Sequence, residues 1–116
     1  RVNDTYGHNC GDQVLTDLAK LFKEKTLGLG HVCRWGGEEF LFFFPGLNLD
    51  EASALMDNIR LAVSDLTIVY KDVSLHVTMT FGLEEYDYHS SPSELVKHAD
   101  DKLYYGKTHG RNTVIF

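Results

Sequence analysis

Two adjacent glutamates follow two adjacent glycines in residues 34–44, which read RWGGEEFLFFF. Consecutive glycines tolerate the positive φ angles of a tight two-residue turn, so a hairpin turn is predicted at Gly36 and Gly37. Glu38 and Glu39 would then emerge at the rim of a sheet, where paired carboxylates can hold Mg²⁺ whose shell is completed by water and substrate phosphates. Two solvated turn charges are the alternative, and the motif alone favours that plainer interpretation.

A polar, glycine-punctuated segment precedes the first predicted helix and carries Asn3 and Asp12. The N1–H and N2–H₂ donors of a guanine suit a carboxylate, and its acceptor atoms suit an amide NH₂. The two residues are therefore candidates for purine recognition. The alternatives are a helix N-cap for Asp12 and a turn former for Asn3.

Two cations, Lys107 and Arg111, lie four residues apart around the end of the last predicted helix. They could converge on an anion such as a phosphate. The alternative is that they stabilise the helix by their position at its C-terminus, where the helix dipole favours positive charge.

Hydrophobic periodicity and capping signals predict three helices. The first covers residues 12–25, and the second follows the capping box of Asn48 and Glu51 and continues through Leu66. The third begins with the capping sequence Ser91-Pro92-Ser93-Glu94 and continues toward Gly106, and Gly110 is predicted to end it.

Four strands are predicted: residues 31–35, 39–44, 73–81 and 112–116. Both faces of the second strand are apolar, which indicates a position inside a sheet covered by helices. The element order predicts one α+β domain, residues 1–116, with helices packed on a mainly antiparallel sheet.

Composition limits the partners. The chain has 116 residues, 43% of them hydrophobic, and a net charge of −6, which argues against binding to nucleic acid polymers or anionic membranes. It has no apolar run near the ~20 residues of a membrane span, so this segment is expected to make no membrane contact. Only two cysteines, Cys10 and Cys33, are present, and the six histidines show no zinc-ligand spacing. A cytoplasmic location is therefore expected.

Three segments in register resemble the GGDEF domain, the diguanylate cyclase family that joins two GTP molecules into cyclic di-GMP. The GGEEF of residues 36–40 is a variant of the family signature, supported by NDTYGHNCGDQVL at residues 3–15 and ADDKLYYGKTHGRN at residues 99–112. The resemblance spans nearly the whole chain. It implies a ferredoxin-like sheet of the nucleotidyl-cyclase palm type.

The resemblance also implies roles for individual residues. Glu38 would bind a divalent metal, Mg²⁺ or Mn²⁺, and Glu39 would assist with the metal or the attacking 3′-hydroxyl. Family members act as homodimers, each domain binding one GTP. The remaining implied substrate-binding residues are Asn3 and Asp12 for guanine, bare backbone at Gly36 and Gly37, and Lys107 and Arg111 for the β- and γ-phosphates.

The chain departs from the family pattern in two places. The family's first central strand, with its metal-binding Asp, would precede Arg1, so we expect an N-terminally incomplete domain that exchanges or pairs strands between chains and lacks full activity by itself. A parent protein tethered to a membrane through another domain is compatible with this. The family's inhibitory Arg-x-x-Asp site aligns with Leu27, Gly28, Leu29 and Gly30, which cannot form ion pairs.

A rival interpretation is a non-catalytic module that binds GTP for regulation or serves dimerisation. An assay of GTP binding and of cyclic di-GMP formation separates the two. The sequence of this segment does not specify which sensory or phosphodiesterase domains are attached to it, or which signal they read.

Overall fold

The computed structural model describes residues 7–116, so Asn3 lies outside the described residues. The described chain forms three helices and six short strands, in two compact units. The helices are α1 (His8–Thr26), α2 (Leu49–Asp65) and α3 (Pro92–Thr108). The strands are β1 (His31–Gly36), β2 (Glu39–Phe43), β3 (Ile68–Tyr70), β4 (Val73–Leu75), β5 (Phe81–Gly82) and β6 (Val114–Ile115).

The first unit, which contains residues 7–46 and Asp65–His76, is organised around α1. The predicted apolar stripe is confirmed, because Cys10, Val14, Leu18 and Phe22 are all buried on this helix. The helix begins four residues earlier than predicted. Its N-cap is Gly7, which has a φ of 91° and provides no side-chain hydrogen bond to the helix start. The start thus has no side-chain cap, and its first residues, which include Asn9 and Gly11, are weak helix formers.

Strands β1 and β2 form an antiparallel hairpin in which Val32 pairs with Phe42 and Arg34 with Phe40. The even-numbered Phe residues of β2 face α1, as the alternation predicted. The odd-numbered face is more open, and Phe43 is 59% exposed. In the described part of the chain β2 pairs with β1 alone, so its expected position inside a sheet is not met there.

The prediction of one strand over residues 73–81 is wrong. Its beginning is β4, which pairs antiparallel with β3, a strand not predicted from the sequence; its end is β5, which pairs with β6. Alternating hydrophobicity reports alternating burial and does not specify hydrogen-bond partners, so the pattern does not distinguish one strand from two short strands with different neighbours. The turn between β3 and β4 contains Lys71 in the left-handed region, at φ 53°.

The second unit contains Leu47–Ser64 and Val77–Phe116. Its β5 and β6 are parallel, with Phe81 opposite Val114, and α3 provides the crossover between them. The helix lies directly over β5, because a Cβ added to Gly82 would overlap backbone atoms of Ala99 and Leu103. The final strand is shorter than predicted.

Two capping boxes begin the helices of the second unit, and both were predicted. The backbone N–H of Glu51 donates to Asn48 Oδ1 at 2.8 Å, and the N–H of Asn48 donates to Glu51 Oε1 at 3.0 Å. Ser91 and Glu94 make the same reciprocal pair at the start of α3. Each box satisfies two backbone donors that a helix start otherwise leaves unpaired.

The element content agrees with the predicted α+β class, with the parallel β5–β6 pair as the departure from antiparallel pairing. No helix within residues 7–116 has the length and apolarity needed to cross a membrane.

Candidate active site

The hairpin turn is displaced by one residue from its predicted position. Gly36 is the last residue of β1 and lies opposite Glu39, so the turn consists of Gly37 and Glu38. An irregularity in register between Arg34 and Gly36 accommodates Trp35 as an extra residue on β1. Gly37 has φ 52°, a conformation that costs little only for glycine.

An arginine side chain closes this turn. Arg34 Nε donates a hydrogen bond of 2.9 Å to the carbonyl oxygen of Gly37. The bond ties the base of the hairpin to its tip and restricts the backbone that carries both glutamates. No sequence pattern predicted this bond, because a side-chain bond across a turn depends on the bulge that precedes it.

Both glutamates, Glu38 and Glu39, are exposed. Carboxylate oxygens are hard ligands of the type that Mg²⁺ and Mn²⁺ accept, so the donor set fits such an ion. No group of three His, Cys, Asp or Glu side chains with metal-binding geometry occurs in the described residues. An ion bound by Glu38 and Glu39 would therefore take its further ligands from water, from substrate phosphates or from other groups of the protein.

The backbone beside the glutamates is uncovered. A Cβ added at Gly36 or at Gly37 would meet no atom of residues 7–116 within 4 Å. The absence of side chains at both positions therefore does not serve packing against the described residues. It leaves space for a ligand to approach the main chain closely.

Asp12 lies within α1, one turn after its first residue, and is exposed. The alternative role as an N-cap is therefore wrong, because the helix begins at His8 and Asp12 already accepts a hydrogen bond at its carbonyl oxygen from Thr16 Oγ1, at 2.8 Å. An exposed carboxylate on the first turns of a helix remains available to a ligand. Its predicted partner in guanine recognition, Asn3, is outside the described residues.

Aromatic packing fixes α1 against the hairpin. The Phe22 ring meets Phe40 edge-on, with centroids 4.9 Å apart, and Phe42 in the same manner at 5.0 Å. Phe42 in turn stacks on Phe44 at 6.1 Å. Because Phe40 directly follows Glu39, this cluster sets where α1 lies relative to the strand that leaves the glutamate turn.

In the second unit, Lys107 is in the last turn of α3 and Arg111 follows its end, and both are exposed. Arg111 has φ 58°, and its backbone N–H donates 2.9 Å to the carbonyl oxygen of Gly106. The chain thus folds back over the helix terminus and brings Arg111 to the same helix end as Lys107. Within residues 7–116 neither cation has a carboxylate partner, so both remain available to an anion.

A family model of the GGDEF domain, described as diguanylate cyclase, matches residues 1–113. The chain therefore belongs to the GGDEF family. The recognition made from the three motifs is confirmed.

A curated relative agrees with this assignment. Diguanylate cyclase A of Treponema denticola is 37% identical over 114 residues, which is 97% of this chain and 31% of that protein. The chain thus spans about a third of the length of this relative.

Solved structures of the family share the fold. The GGDEF domain of DgcB from Caulobacter crescentus, in complex with c-di-GMP, superposes with a TM-score of 0.89 at 30% identity and covers 98% of this chain and 68% of that one. The active GGEEF domain of a diguanylate cyclase from Vibrio cholerae gives a TM-score of 0.86 at 28% identity, with coverage of 98% and 72%. The palm-type α+β fold is therefore confirmed, while the roles of the individual site residues stay predictions.

Proposed function

We propose that this domain is a diguanylate cyclase catalytic domain that condenses two GTP molecules into cyclic di-GMP and two pyrophosphates. The observation that carries the proposal is the GGEEF turn, where two exposed carboxylates adjoin two glycines with open space above their backbone. A ligand that brings both a divalent ion and a polyphosphate suits such a turn, because the carboxylates bind the ion and the bare main chain admits the phosphates. Membership of the GGDEF family supports GTP as the substrate.

In each half-reaction the 3′-hydroxyl oxygen of one GTP forms a bond to the α-phosphorus of the other, and the bond to the pyrophosphate leaving group breaks. Two such steps close the cyclic product. A divalent ion, Mg²⁺ or Mn²⁺, when bound, neutralises phosphate charge and lowers the pKa of a hydroxyl. Glu38 would ligate this ion, and Glu39 would ligate it or accept the 3′-hydroxyl proton.

The other proposed roles concern substrate binding. Asp12 and Asn3 would read the guanine edge, since a carboxylate accepts from N1–H and N2–H₂ and an amide donates to the acceptors. Lys107 and Arg111 would hold the β- and γ-phosphates, for which two cations without a carboxylate partner in residues 7–116 are suited. One domain binds one GTP, so the reaction requires a homodimer that brings two nucleotides together.

The test is to incubate the protein with GTP and Mg²⁺ or Mn²⁺ and to measure cyclic di-GMP, pyrophosphate and bound nucleotide. We expect two pyrophosphates for each cyclic di-GMP, and loss of both products in Glu38→Gln. The matched control is Glu24→Gln, an exposed glutamate of α1 in the same unit whose side chain makes no hydrogen bond or ion pair with the described residues. Tight GTP binding without product, in this chain and also in a chain extended by the family's first strand with its Asp, would overturn catalysis in favour of a regulatory GTP-binding module.

A further inference from the structure

Backbone in an unfavourable conformation carries one of the two proposed phosphate ligands. Gly110, Arg111 and Asn112 have φ angles of 113°, 58° and 46°, three successive residues in the left-handed region. Glycine adopts this region freely and asparagine tolerates it, but an arginine does so only when its surroundings impose it. Contacts between this loop and the rest of the unit offset the cost of the conformation.

The surrounding groups act on the next residue, Asn112. Arg60 Nη1 donates to the side-chain oxygen of Asn112 at 3.1 Å and to its backbone oxygen at 3.4 Å. The backbone N–H of Asn112 donates to Thr80 Oγ1 at 3.0 Å. Three polar groups of Asn112 are thus held by Arg60 of α2 and by Thr80, both of which lie far from it in sequence.

The guanidinium of Arg60 is itself oriented. Its Nε donates to Asp57 Oδ1 at 2.8 Å, one helical turn back on α2, and only 18% of its side chain is exposed. A planar guanidinium can make the Nε bond and the Nη1 bonds at once, whereas a lysine ammonium has no such fixed fork. Arg60 therefore acts as a rigid link between α2 and the loop.

Thr80 completes the clamp at the helix end. Its methyl group lies over Gly106, where an added Cβ would be 2.6 Å from Thr80 Cγ2, and its hydroxyl accepts from Asn112. Gly106 is also the acceptor for the backbone N–H of Arg111. Gly106 at the end of α3 thus binds the backbone of Arg111, and Thr80, which packs on Gly106, binds the backbone of the next residue, Asn112.

We infer that Arg60 is a positioning residue for phosphate binding: through Asn112 it fixes the backbone of Arg111, and it does not touch the nucleotide itself. The inference rests on the proposed function, in which Arg111 binds the β- and γ-phosphates of GTP. Its consequence is specific. Loss of the Arg60 link weakens binding of a nucleoside triphosphate and leaves binding of GMP, which has no β- or γ-phosphate, unchanged.

The experiment measures the dissociation constants of GTP and GMP for wild type, Arg60→Lys, Arg111→Ala and the double variant, with thermal melting as a check on folding. Arg60→Lys keeps the charge and loses the fork, so we expect GTP to bind about tenfold more weakly, the loss of one charge-assisted hydrogen bond, with GMP unaffected. In the Arg111→Ala background the same change should have no further effect, because there is no guanidinium left to position.

A second variant keeps the test decisive if Arg60→Lys folds poorly. Asn112→Gly retains the left-handed backbone without strain and removes the side-chain oxygen that Arg60 binds, so it should reproduce the selective loss of GTP affinity. The matched control is Lys97→Met, which removes a cation of α3 whose partner is Asp101 and which has no contact with the loop. It should bind both nucleotides as wild type does.

The outcomes distinguish the two proposals. If Arg111→Ala leaves the ratio of GTP to GMP affinity unchanged, the phosphate role of Arg111 fails and the positioning role fails with it. If Arg111→Ala changes that ratio while Arg60→Lys and Asn112→Gly do not, the positioning role alone is overturned. Equal weakening of GTP and GMP in the Arg60 variant would also overturn it, because it would indicate a general structural role.

Discussion

Phe22 of α1 and Phe40 of β2 pack edge to face, with ring centroids 4.9 Å apart and planes at 81°. Phe22 is fully buried, and Phe40 is the residue after the second glutamate of the GGEEF turn. The contact couples the helix that carries Asp12 to the hairpin that carries the glutamates. Its loss should therefore weaken the first unit as a whole.

We expect Phe22→Ala to lower the free energy of unfolding by about 3–5 kcal/mol, because it removes a buried ring and leaves a cavity between helix and hairpin. The measurement is urea denaturation followed by circular dichroism. Phe43→Ala is the control, since Phe43 is 59% exposed, and its cost should be about 1 kcal/mol or less. Equal costs for the two substitutions would contradict the packing described here.

The substitution Gly36→Ala tests whether the nucleotide approaches the backbone of the turn, because it should affect catalysis without affecting folding. A Cβ at Gly36 enters open space, so the variant should fold with stability unchanged or raised by up to about 1 kcal/mol. The methyl group would occupy the space proposed for the nucleotide, and kcat/KM for GTP should fall about tenfold or more.

Gly46→Ala is the matched control for this substitution, because a Cβ there also meets nothing within 4 Å. It should change neither stability nor activity. Gly37→Ala is unsuitable as a control, since the φ of 52° at this position would strain an alanine. If Gly36→Ala keeps wild-type kcat/KM, the nucleotide does not pass over this backbone.

The capping box of α3 gives a pH dependence of stability. The backbone N–H of Ser91, at 2.9 Å, and secondarily its hydroxyl, lower the pKa of Glu94 below its ordinary value of 4.5. A carboxyl whose pKa is depressed in the folded state stabilises that state above the unfolded pKa, and the contribution is lost as pH falls through the folded pKa.

The melting temperature of wild type should therefore exceed that of Glu94→Gln at pH 7, and the difference should shrink as the pH falls below 4.5. Ser91→Ala should keep part of this pH dependence, because the backbone bond that contributes most survives. A difference between wild type and Glu94→Gln that stays constant from neutral to acidic pH would refute the assignment.

Local signals were predictable from the sequence, and long-range pairing was not. The boxes at Asn48 and Ser91 involve residues three apart, so their side chains suffice to locate the helix starts. The pairing of Phe81 with Val114 and the link from Arg60 to Asn112 join residues that no local pattern relates. The turn lies one residue later than predicted, at Gly37 and Glu38, because the hydrophobic pattern does not reveal the bulge at Trp35.

In the candidate site too, local features were predictable from the sequence and features that depend on distant residues were not. The glutamates, glycines and cations were identified by residue type and motif spacing, and the structure places them exposed on a turn and at a helix end. The conformation of Arg111 and the bond from Arg34 to Gly37 were missed, since each depends on backbone geometry set by neighbouring elements.

Product inhibition should not act through residues 27–30. Leu27 is 84% exposed and Leu29 43% exposed, and the segment has no charged side chain to pair with a phosphate. We expect added cyclic di-GMP to leave the initial rate unchanged apart from competition with GTP. Isothermal titration of the Glu38→Gln variant with cyclic di-GMP is the check, and micromolar binding abolished by Leu27→Asp would contradict this expectation.

The most direct test of the central claim is a crystal structure of the protein with Mn²⁺ and a non-hydrolysable GTP analogue, with the ion located by its anomalous scattering. The account predicts an anomalous peak at about 2.0–2.3 Å from a carboxylate oxygen of Glu38, bridged to the phosphates of the analogue. A nucleotide bound with its ion held elsewhere, and with Glu38 and Glu39 in solvent, would contradict it.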